Sequence, residues 1–294
     1  MVKLLITLGA IIVLLVILGR SSRTGTRISL YTVLIIYAGL VIVPFYMMLV
    51  WSTLSSGEIF SWPPKIFFGN YLGKNFQTMQ SMANMLRAFL NSCLVSISYV
   101  SLSLFFCSIG GFSFAVYKFP FKKQLFTILI LTMMIPWTAG IVPWFVMMSK
   151  FGWLNTYYPL IIPHAANAFG IFWMRQYCTR NVPISLLDAA RIDGCSEWFI
   201  FPRIVAPIIL PAYATLGIMQ FVNTWNDFIA PMMMLRRRAL HTLPIALSQM
   251  ITDRNQDYGV LLLASAVSVL PLLVAFLLAS KYFLSGLTAG AIKE

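Results

Sequence analysis

Long apolar runs recur along this chain, and they constrain its fold more than any other feature of the sequence. Six runs stand out, at 30–51, 85–116, 125–148, 157–174, 206–235 and 258–283. Each is long enough to cross a hydrocarbon core of about 30 Å as a helix. Because a bilayer offers no water to backbone N–H and C=O groups, each run is predicted to be helical. We therefore expect an all-α, polytopic membrane protein with six core transmembrane helices.

The scarcity of charge excludes an ordinary soluble domain. Only 10% of the residues are charged and 60% are hydrophobic, whereas soluble domains carry about 25% charged residues. A chain so poor in charge cannot cover a water-facing surface, so most of its surface is expected to face lipid or protein. In a soluble protein, the formal net charge of +13 would suggest nucleic acid. Here the basic residues lie mostly between the apolar runs, and no nucleic-acid partner is predicted.

A shorter apolar segment, 4–18, precedes the six runs and is followed by a basic stretch. It has the length of a signal-peptide core, but no small-residue cleavage site follows it. It is predicted to be an uncleaved membrane segment, as a short span or an interfacial helix. The alternative is an extension from a misplaced start codon. The chain then divides into this N-terminal hydrophobic segment with its basic stretch (1–27), the first core span with an external loop (28–84), the core domain (85–285) and a cytoplasmic C-terminal tail (286–294).

Basic residues between the runs predict the orientation of the chain. They cluster in three places: Arg20, Arg23 and Arg27; Lys118, Lys122 and Lys123; and Arg175, Arg180, Arg191 and Arg203. All three clusters fall on one side when six spans are counted, and that side is predicted to be cytoplasmic. Segment 52–84 is then the longest external loop.

Three consecutive arginines break this charge pattern. Arg236, Arg237 and Arg238 follow the fifth run and are predicted to lie on the external side. They are candidates for contacts with lipid headgroups or with a partner protein. The alternative is that they attract an anionic substrate, or an acidic patch on the protein that delivers it.

The segment between the fourth and fifth runs, 181–207, carries the local signals of two helices. Ser185 and Asp188 form an S-x-x-D capping box, which predicts a helix from Leu186 onward. Gly194 is placed to end that helix in a left-handed conformation. Ser196 is placed to cap a second helix.

The first helix of this segment has an apolar face, and the second contains a proline. Leu186, Leu187 and Ala190 fall on one face of the first helix. A small apolar face with charged flanks suits docking into a groove on a partner, although an ordinary amphipathic connector would have the same pattern. Pro202 is predicted to kink the second helix.

The segment resembles the signature loop of importer permeases of the ATP-binding cassette class, whose pattern is E-A-A, three residues, G, nine residues, I-x-L-P. The matching positions are Asp188, Ala189, Ala190, Gly194, Ile204 and Pro207. Asp188 replaces Glu, and Ala206 replaces Leu. Other motifs are similar to the smaller permease of maltose-type importers: AARIDG at 189–194, WND at 225–227, TLP at 242–244 and GLTAGAIK at 286–293. The resemblance extends from about residue 30 to the C-terminus.

This resemblance implies a cytoplasmic coupling helix, with the six motif residues as its contact with an ATPase. The implied partners are a homologous second permease, two copies of a cytoplasmic ATPase, an extracytoplasmic solute-binding protein and membrane lipid. ATP and Mg²⁺ would bind to the ATPase, and no cofactor is expected on this chain, which lacks a G-x-x-x-x-G-K-[ST] motif. The implied function is import of a sugar or oligosaccharide, with an acidic one left open, by alternating access across a bacterial inner membrane.

Polar residues inside the apolar runs predict where a solute passes. Asp227 is the only acidic residue in the fifth run, and a carboxylate near the membrane centre costs about 3 kcal/mol on insertion scales. It is therefore expected to face the path or to pair with a neighbour. Trp225, Asn226 and, in the second run, Asn91 are further candidates because aromatic faces and amides suit sugars. Alternatively, Asp227 lies near the outer interface and caps a helix.

Other functional classes find less support. An ion-coupled secondary transporter is the alternative, but the runs are nearly devoid of ionisable residues; a permease of the same class for a non-sugar solute stays open. No catalytic constellation is found, so an enzyme is not predicted. The four cysteines form no CxxC and predict neither a metal site nor a disulfide framework: Cys93, Cys107, Cys178 and Cys195.

Overall fold

The computed structural model describes residues 23–82, 84–251 and 257–291, with side chains for all of these except 23–26, 28 and 281–291. Within these ranges the chain is built from helices and contains no strand. The predicted all-α fold is confirmed. The apolar segment 4–18 lies outside the described residues.

Helices of very different lengths follow one another along the chain. In order they are α1 (Arg23–Trp51), α2 (Ser56–Ile59), α3 (Leu72–Met82), α4 (Met85–Val116), α5 (Lys122–Thr132), α6 (Trp137–Lys150), α7 (Tyr158–Ile161), α8 (Ala168–Asn181), α9 (Ile184–Ile192), α10 (Glu197–Ile200), α11 (Ala206–Ile208), α12 (Leu210–Trp225), α13 (Ile229–Met234), α14 (Leu243–Ile251) and α15 (Tyr258–Ala291). A π-helical turn, Phe201–Val205, joins α10 to α11, and a 3₁₀ turn covers Arg238–Leu240.

Membrane-spanning length is reached in two ways. Three described helices are long and apolar enough to cross a membrane by themselves: Ser29–Trp51 of α1, α4, and Tyr258–Ser280 of α15. Two further stretches reach that length only as bent pairs, α5 with α6 at 96° and Glu197–Ile208 with α12 at 77°. The described residues therefore offer three candidate spans, or up to five if each bent pair is one span.

Two predicted runs are interrupted where prolines remove backbone donors. In the third run, Pro136 and Pro143 predict a kink, and the chain turns directly before α6, with Pro136 at its N-cap. Pro143 lies inside α6. The fourth run, 157–174, is not one helix, since residues 162–167 between α7 and α8 are non-helical. Hydropathy detected the apolar stretch but not this break.

By internal packing the described residues divide into two compact units, those within 1–78 and 257–266, and those within 79–256 and 267–294. In the first unit, buried Asn75 organises the loop that follows α1. Its Nδ2 donates to the carbonyls of Ser52 at 2.8 Å and Leu54 at 3.0 Å. Ser56 Oγ also donates to Asp257 Oδ1 at 2.9 Å. The first two bonds tie the loop to α3, and the third ties it to the residue that precedes α15.

The second unit is organised around α4, which packs tightly against α8 through glycines. A Cβ on Gly111 would lie 2.5 Å from Met174 Cβ and 2.6 Å from the Arg175 backbone nitrogen. A Cβ on Gly170 would lie 2.6 Å from Cys107 Sγ. Small residues of this kind let helix backbones approach closely in membrane proteins. The resulting core also includes the buried Cys178.

Candidate functional site

The signature segment 181–207 folds as a short helix, a sharp turn and a second helical stretch, as predicted. The turn is a Schellman motif in which Gly194 has φ +78°. The Gly194 N–H donates to the Arg191 carbonyl at 3.0 Å, and the Cys195 N–H donates to the Ala190 carbonyl at 2.9 Å. These two bonds satisfy carbonyls that a helix end would otherwise leave unpaired. The left-handed conformation explains why glycine stands at this position.

The helix caps differ from the sequence prediction. Helix α9 begins at Ile184 with Pro183 as its N-cap, so the predicted start at Leu186 with a Ser185–Asp188 capping box is wrong. Proline fixes φ at a value that lets a helix begin directly after it, and Asp188 pairs with Arg191 instead. Ser196 does occupy the N-cap of α10, but its side chain makes no capping hydrogen bond.

Part of the apolar face of α9 is directed inward. Leu187 is fully buried in the core of the second unit, and Ala190 packs against the same core. Of the predicted docking face of Leu186, Leu187 and Ala190, Leu187 is not available to a partner because it anchors the segment to its own chain, whereas Leu186 is 42% exposed. The most exposed apolar side chains of the segment are Ile192, at 86%, and Trp198, at 90%. They flank the turn at Gly194.

A chain of charged contacts holds the two helices of the segment together. Arg191 Nη1 lies 2.7 Å from Asp188 Oδ1, and Arg191 Nε lies 2.6 Å from Glu197 Oε1. The hydrogen bonds with Glu197 and then Asp188 raise the pKa of Arg191 above its usual range. Tyr117, directly after α4, donates from its hydroxyl to Glu197 Oε2 at 2.6 Å. Burial, and then this bond, raise the pKa of Tyr117 to about 12. The network orients the segment against the end of α4.

Of the remaining motif residues, Ala189 lies in α9, and Ile204 and Pro207 lie before the entry to α12. Ala189 and Pro207 are exposed, whereas Ile204 packs against the core. At Pro202, where a kink is predicted, the structure has the π-helical turn, in which the Ala206 N–H donates to the Phe201 carbonyl. The sharp bend comes later, between α11 and α12. The second helical stretch is thus bent after the motif rather than within it.

A cavity of about 450 Å³ opens inside the second unit. Its polar lining includes Ser92, Ser96, Asn223, Thr224 and Thr242. Within the described part of the chain, the buried hydroxyls of Ser96 and Thr242 have no hydrogen-bond partner. Buried polar groups are usually paired, so unpaired hydroxyls in a cavity wall indicate a space suited to a polar occupant.

Aromatic rings line another part of this cavity. Tyr99, Trp137 and His164 contribute to its wall. The ring centroids of Trp137 and His164 are 6.5 Å apart, and Trp144 lies 5.9 Å and 5.8 Å from them. The rings therefore support one another. They give this part of the wall an apolar, aromatic surface.

Asp227 is the one predicted path residue that lines the cavity, and it is the only charged residue in the described lining. Its Oδ1 also accepts from the Ala230 N–H at 3.3 Å, in the first turn of α13. The carboxylate therefore both lines this cavity and bonds to the start of α13, so the two roles predicted as alternatives, facing the path and capping a helix, are compatible.

The other predicted path residues have structural contacts outside the lining. Trp225 is buried and donates from Nε1 to the Ser268 carbonyl at 3.0 Å. Asn226 is exposed and bonds within α12. Asn91 Nδ2 donates to the carbonyls of Ala239 and His241 at 3.0 Å and 2.9 Å.

Sequence reasoning missed Asn223, which lies in the last turn of α12, whereas Asp227 follows the end of that helix. It also missed Tyr99, Trp137 and His164, for which the sequence offered no comparable signal. These three residues come from separate segments and meet only in the folded chain.

The three arginines predicted to be external do not line the cavity. Asn155 Oδ1 accepts from the backbone N–H groups of Arg236 at 2.7 Å and Arg237 at 3.1 Å. Their side chains and that of Arg238 are exposed. No salt bridge joins them to a described carboxylate. The backbone anchor leaves three guanidinium groups available for external contacts.

Comparison with known protein families gives one match over most of the second unit. Residues 107–287 match the model of a family described as "binding-protein-dependent transport system inner membrane component". The matched stretch contains the whole signature segment. It also contains the cavity residues from Trp137 to Thr242.

Individual relatives cover much of the chain. The arabinooligosaccharides transport system permease protein AraQ of Halalkalibacterium halodurans is 38% identical over 203 residues, 69% of this chain and 72% of that protein. The lactose transport system permease protein LacG of Rhizobium radiobacter is 29% identical over 263 residues, 90% of this chain and 95% of that protein.

Solved structures share the fold. A chain of a bacterial ABC transporter involved in the import of the acidic polysaccharide alginate superposes with a TM-score of 0.77 at 21% identity, covering 89% of this chain and 98% of that one. The same kind of transporter, in complex with an alginate pentasaccharide-bound periplasmic protein, gives a TM-score of 0.58 at 17% identity. At these identities the likeness concerns the fold.

Proposed function

The chain belongs to the family of binding-protein-dependent transport system inner membrane components, and we propose that it is the membrane-spanning permease subunit of an ATP-driven importer for sugars or oligosaccharides. The match over 107–287 carries the proposal, because it covers the signature segment and most of the cavity in one continuous stretch. Relatives named for arabinooligosaccharides and lactose support the solute class. Nothing in these matches favours the ion-coupled alternative.

The subunit works with partners in the inner membrane of a bacterium. These are a second, homologous permease, two copies of a cytoplasmic ATPase that binds ATP and Mg²⁺, and an extracytoplasmic binding protein that delivers the solute. ATP and the loaded binding protein favour the same conformational state, and this shared preference couples hydrolysis to alternating access.

The signature segment is the contact with the ATPase. Two large apolar side chains, Ile192 and Trp198, are almost fully exposed beside the Gly194 turn. Exposed tryptophan is typical of the residues that dominate binding at protein interfaces. Meanwhile Leu187 and the Arg191–Glu197–Tyr117 contacts hold the segment to its own unit. Force applied at the turn therefore reaches α4 directly.

The cavity accepts a neutral saccharide. It offers aromatic faces, two unpaired hydroxyls and one carboxylate, and no lysine or arginine belongs to its described lining. In a site of low dielectric, Asp227 would repel a second carboxylate strongly. The acidic solute left open by the sequence is therefore disfavoured at this position.

The test is purification of the full-length tagged chain in mild detergent after co-expression with its partner subunits. An ATPase and a second permease should co-purify, and the loaded binding protein should stimulate hydrolysis. Trp198→Glu should lower ATPase recovery by about tenfold or more, as loss of an interface tryptophan does. Trp62→Glu is the matched control, since Trp62 is also 90% exposed but lies in the predicted external loop. A chain that purifies alone and transports under an ion gradient would overturn the proposal.

Asp227→Asn tests the cavity. The amide oxygen still accepts from the Ala230 N–H, but the charged acceptor for solute hydroxyls is lost. Uptake of a neutral oligosaccharide into proteoliposomes is expected to fall about tenfold, the usual cost of losing a charge-assisted hydrogen bond. Asn226→Ala, the adjacent exposed position, should leave uptake unchanged. Equal uptake by wild type and Asp227→Asn would exclude Asp227 from the solute path.

A further inference from the structure

A second, smaller pocket lies away from the cavity and is strongly basic. Its volume is about 390 Å³, and its walls are Lys122, Lys123, Phe126 and Thr127 of α5 with Arg175 of α8. No described carboxylate forms a salt bridge with any of its three cations. Arg191, by contrast, is paired with two carboxylates.

Two of the three cations of this pocket are held in position by neutral groups. Lys122 Nζ donates to the carbonyls of Ala115 at 3.3 Å and Tyr117 at 2.8 Å, at the end of α4. Arg175 Nε donates to the Phe114 carbonyl at 3.4 Å. These contacts fix the side chains but leave their charges uncompensated. Placing like charges close together raises the electrostatic free energy, and an anionic ligand would offset this repulsion.

An aromatic ring forms the floor of the pocket. The Arg175 guanidinium lies 3.9 Å from the centroid of Phe126, within cation–π distance. The stack directs the planar edge of Arg175 rather than its face toward a ligand. A guanidinium edge binds phosphate oxygens in a bidentate manner.

The pocket lies where a membrane span ends. Helix α4 finishes at Val116, and Tyr117 bonds to the signature segment, so this end of α4 faces the side predicted to be cytoplasmic. Helix α5 has no buried residue among those described. Phe121, at its N-cap, is 71% exposed, and Leu125 and Ile128 expose apolar surface further along. A basic pocket with an apolar border suits a lipid with an anionic headgroup.

We propose that this pocket, formed by Lys122, Lys123 and Arg175, binds the phosphate of an anionic phospholipid of the cytoplasmic leaflet. Basic pockets between transmembrane helices on that side are suited to such headgroups. Acyl chains extend along the apolar surface of α5. That surface favours a lipid over free phosphate, which would gain nothing from it.

The experiment is a lipid titration of the full-length chain in detergent, followed by native mass spectrometry. Phosphatidylglycerol, phosphatidylcholine and inorganic phosphate are the probes. Phosphatidylglycerol should bind about tenfold or more tightly than phosphatidylcholine, and Lys123→Gln/Arg175→Gln should abolish the difference. Lys122 is kept because its ammonium also contacts the end of α4. Arg180→Gln/Arg203→Gln, with the same loss of charge outside the pocket, should bind as wild type does.

Charge-preserving exchange separates binding from folding. Lys123→Arg/Arg175→Lys should keep the preference for phosphatidylglycerol even if the glutamine variant folds poorly. Three results would overturn the proposal: equal binding of the two lipids by wild type, equal loss in the Arg180/Arg203 variant, or displacement of the lipid by inorganic phosphate. The titration needs no ATPase, so its outcome is independent of the proposed transport function.

Discussion

Gly111→Ala should yield a protein that no longer packs α4 against α8. The added Cβ would lie 2.5 Å from Met174 Cβ and 2.6 Å from the Arg175 nitrogen, so backbone rather than a flexible side-chain end must move. Overpacking of this severity costs about 3 kcal/mol or more. The measurement is the yield of monodisperse protein in detergent, together with its melting temperature.

The neighbouring glycine supplies the control for this prediction. A Cβ on Gly110 would meet only the side chain of Ile171, at 3.4 Å or more, an ordinary contact distance. Gly110→Ala should therefore melt close to wild type. If Gly111→Ala and Gly110→Ala behave alike, the close approach of α4 and α8 is not what stabilises this unit.

Gly194→Val should abolish coupled uptake while leaving the amount of membrane-inserted protein nearly unchanged. No atom lies within 4 Å of a Cβ at this position, so the cost comes from the backbone, at φ +78°. A left-handed residue with a side chain costs about 1–2 kcal/mol, and a β-branched side chain is a genuine outlier there. The strained turn would displace Trp198 and Ile192 from the surface that the ATPase is proposed to contact. The readouts are solute uptake and solute-stimulated ATPase activity of the assembled importer.

The variant Gly194→Asn distinguishes backbone strain at the turn from obstruction by any side chain at that position. Asparagine tolerates the left-handed region, so this variant should retain most of its uptake, whereas valine should not. Loss of uptake in both variants would mean that a side chain at the turn obstructs the contact. Retention in both would exclude the turn from coupling.

How far the sequence predicted the structure depended on the range of the interactions involved. The Gly194 turn was predictable because its cause is local: a glycine stands where a helix must end in a positive φ. The start of α9 was misassigned because Ser185 and Asp188 have the right spacing for a capping box, while Pro183, two residues earlier, determines where the helix begins. Both a capping-box spacing and a proline can mark the start of a helix, and here the helix begins directly after the proline.

Long-range features were harder to predict. Hydropathy predicted the apolar runs but not the non-helical stretch at 162–167, because those residues remain largely apolar. In the same way, Leu187 has the pattern of a docking residue, and only the fold shows that it is buried. The cavity combines residues from separate helices and connecting segments, so Asp227 was recognisable by its charge while Trp137 was not.

Cys195 provides a native site for thiol labelling beside the turn of the signature segment. It is a free cysteine, partly exposed, and directly follows Gly194 in the turn of the signature segment. Cys107 and Cys178 are buried, and Cys93 lies inside the long apolar α4. A water-soluble maleimide should therefore modify Cys195 first in the unmodified sequence. Protection of that one thiol then reports when a protein covers the turn, without any engineered residue.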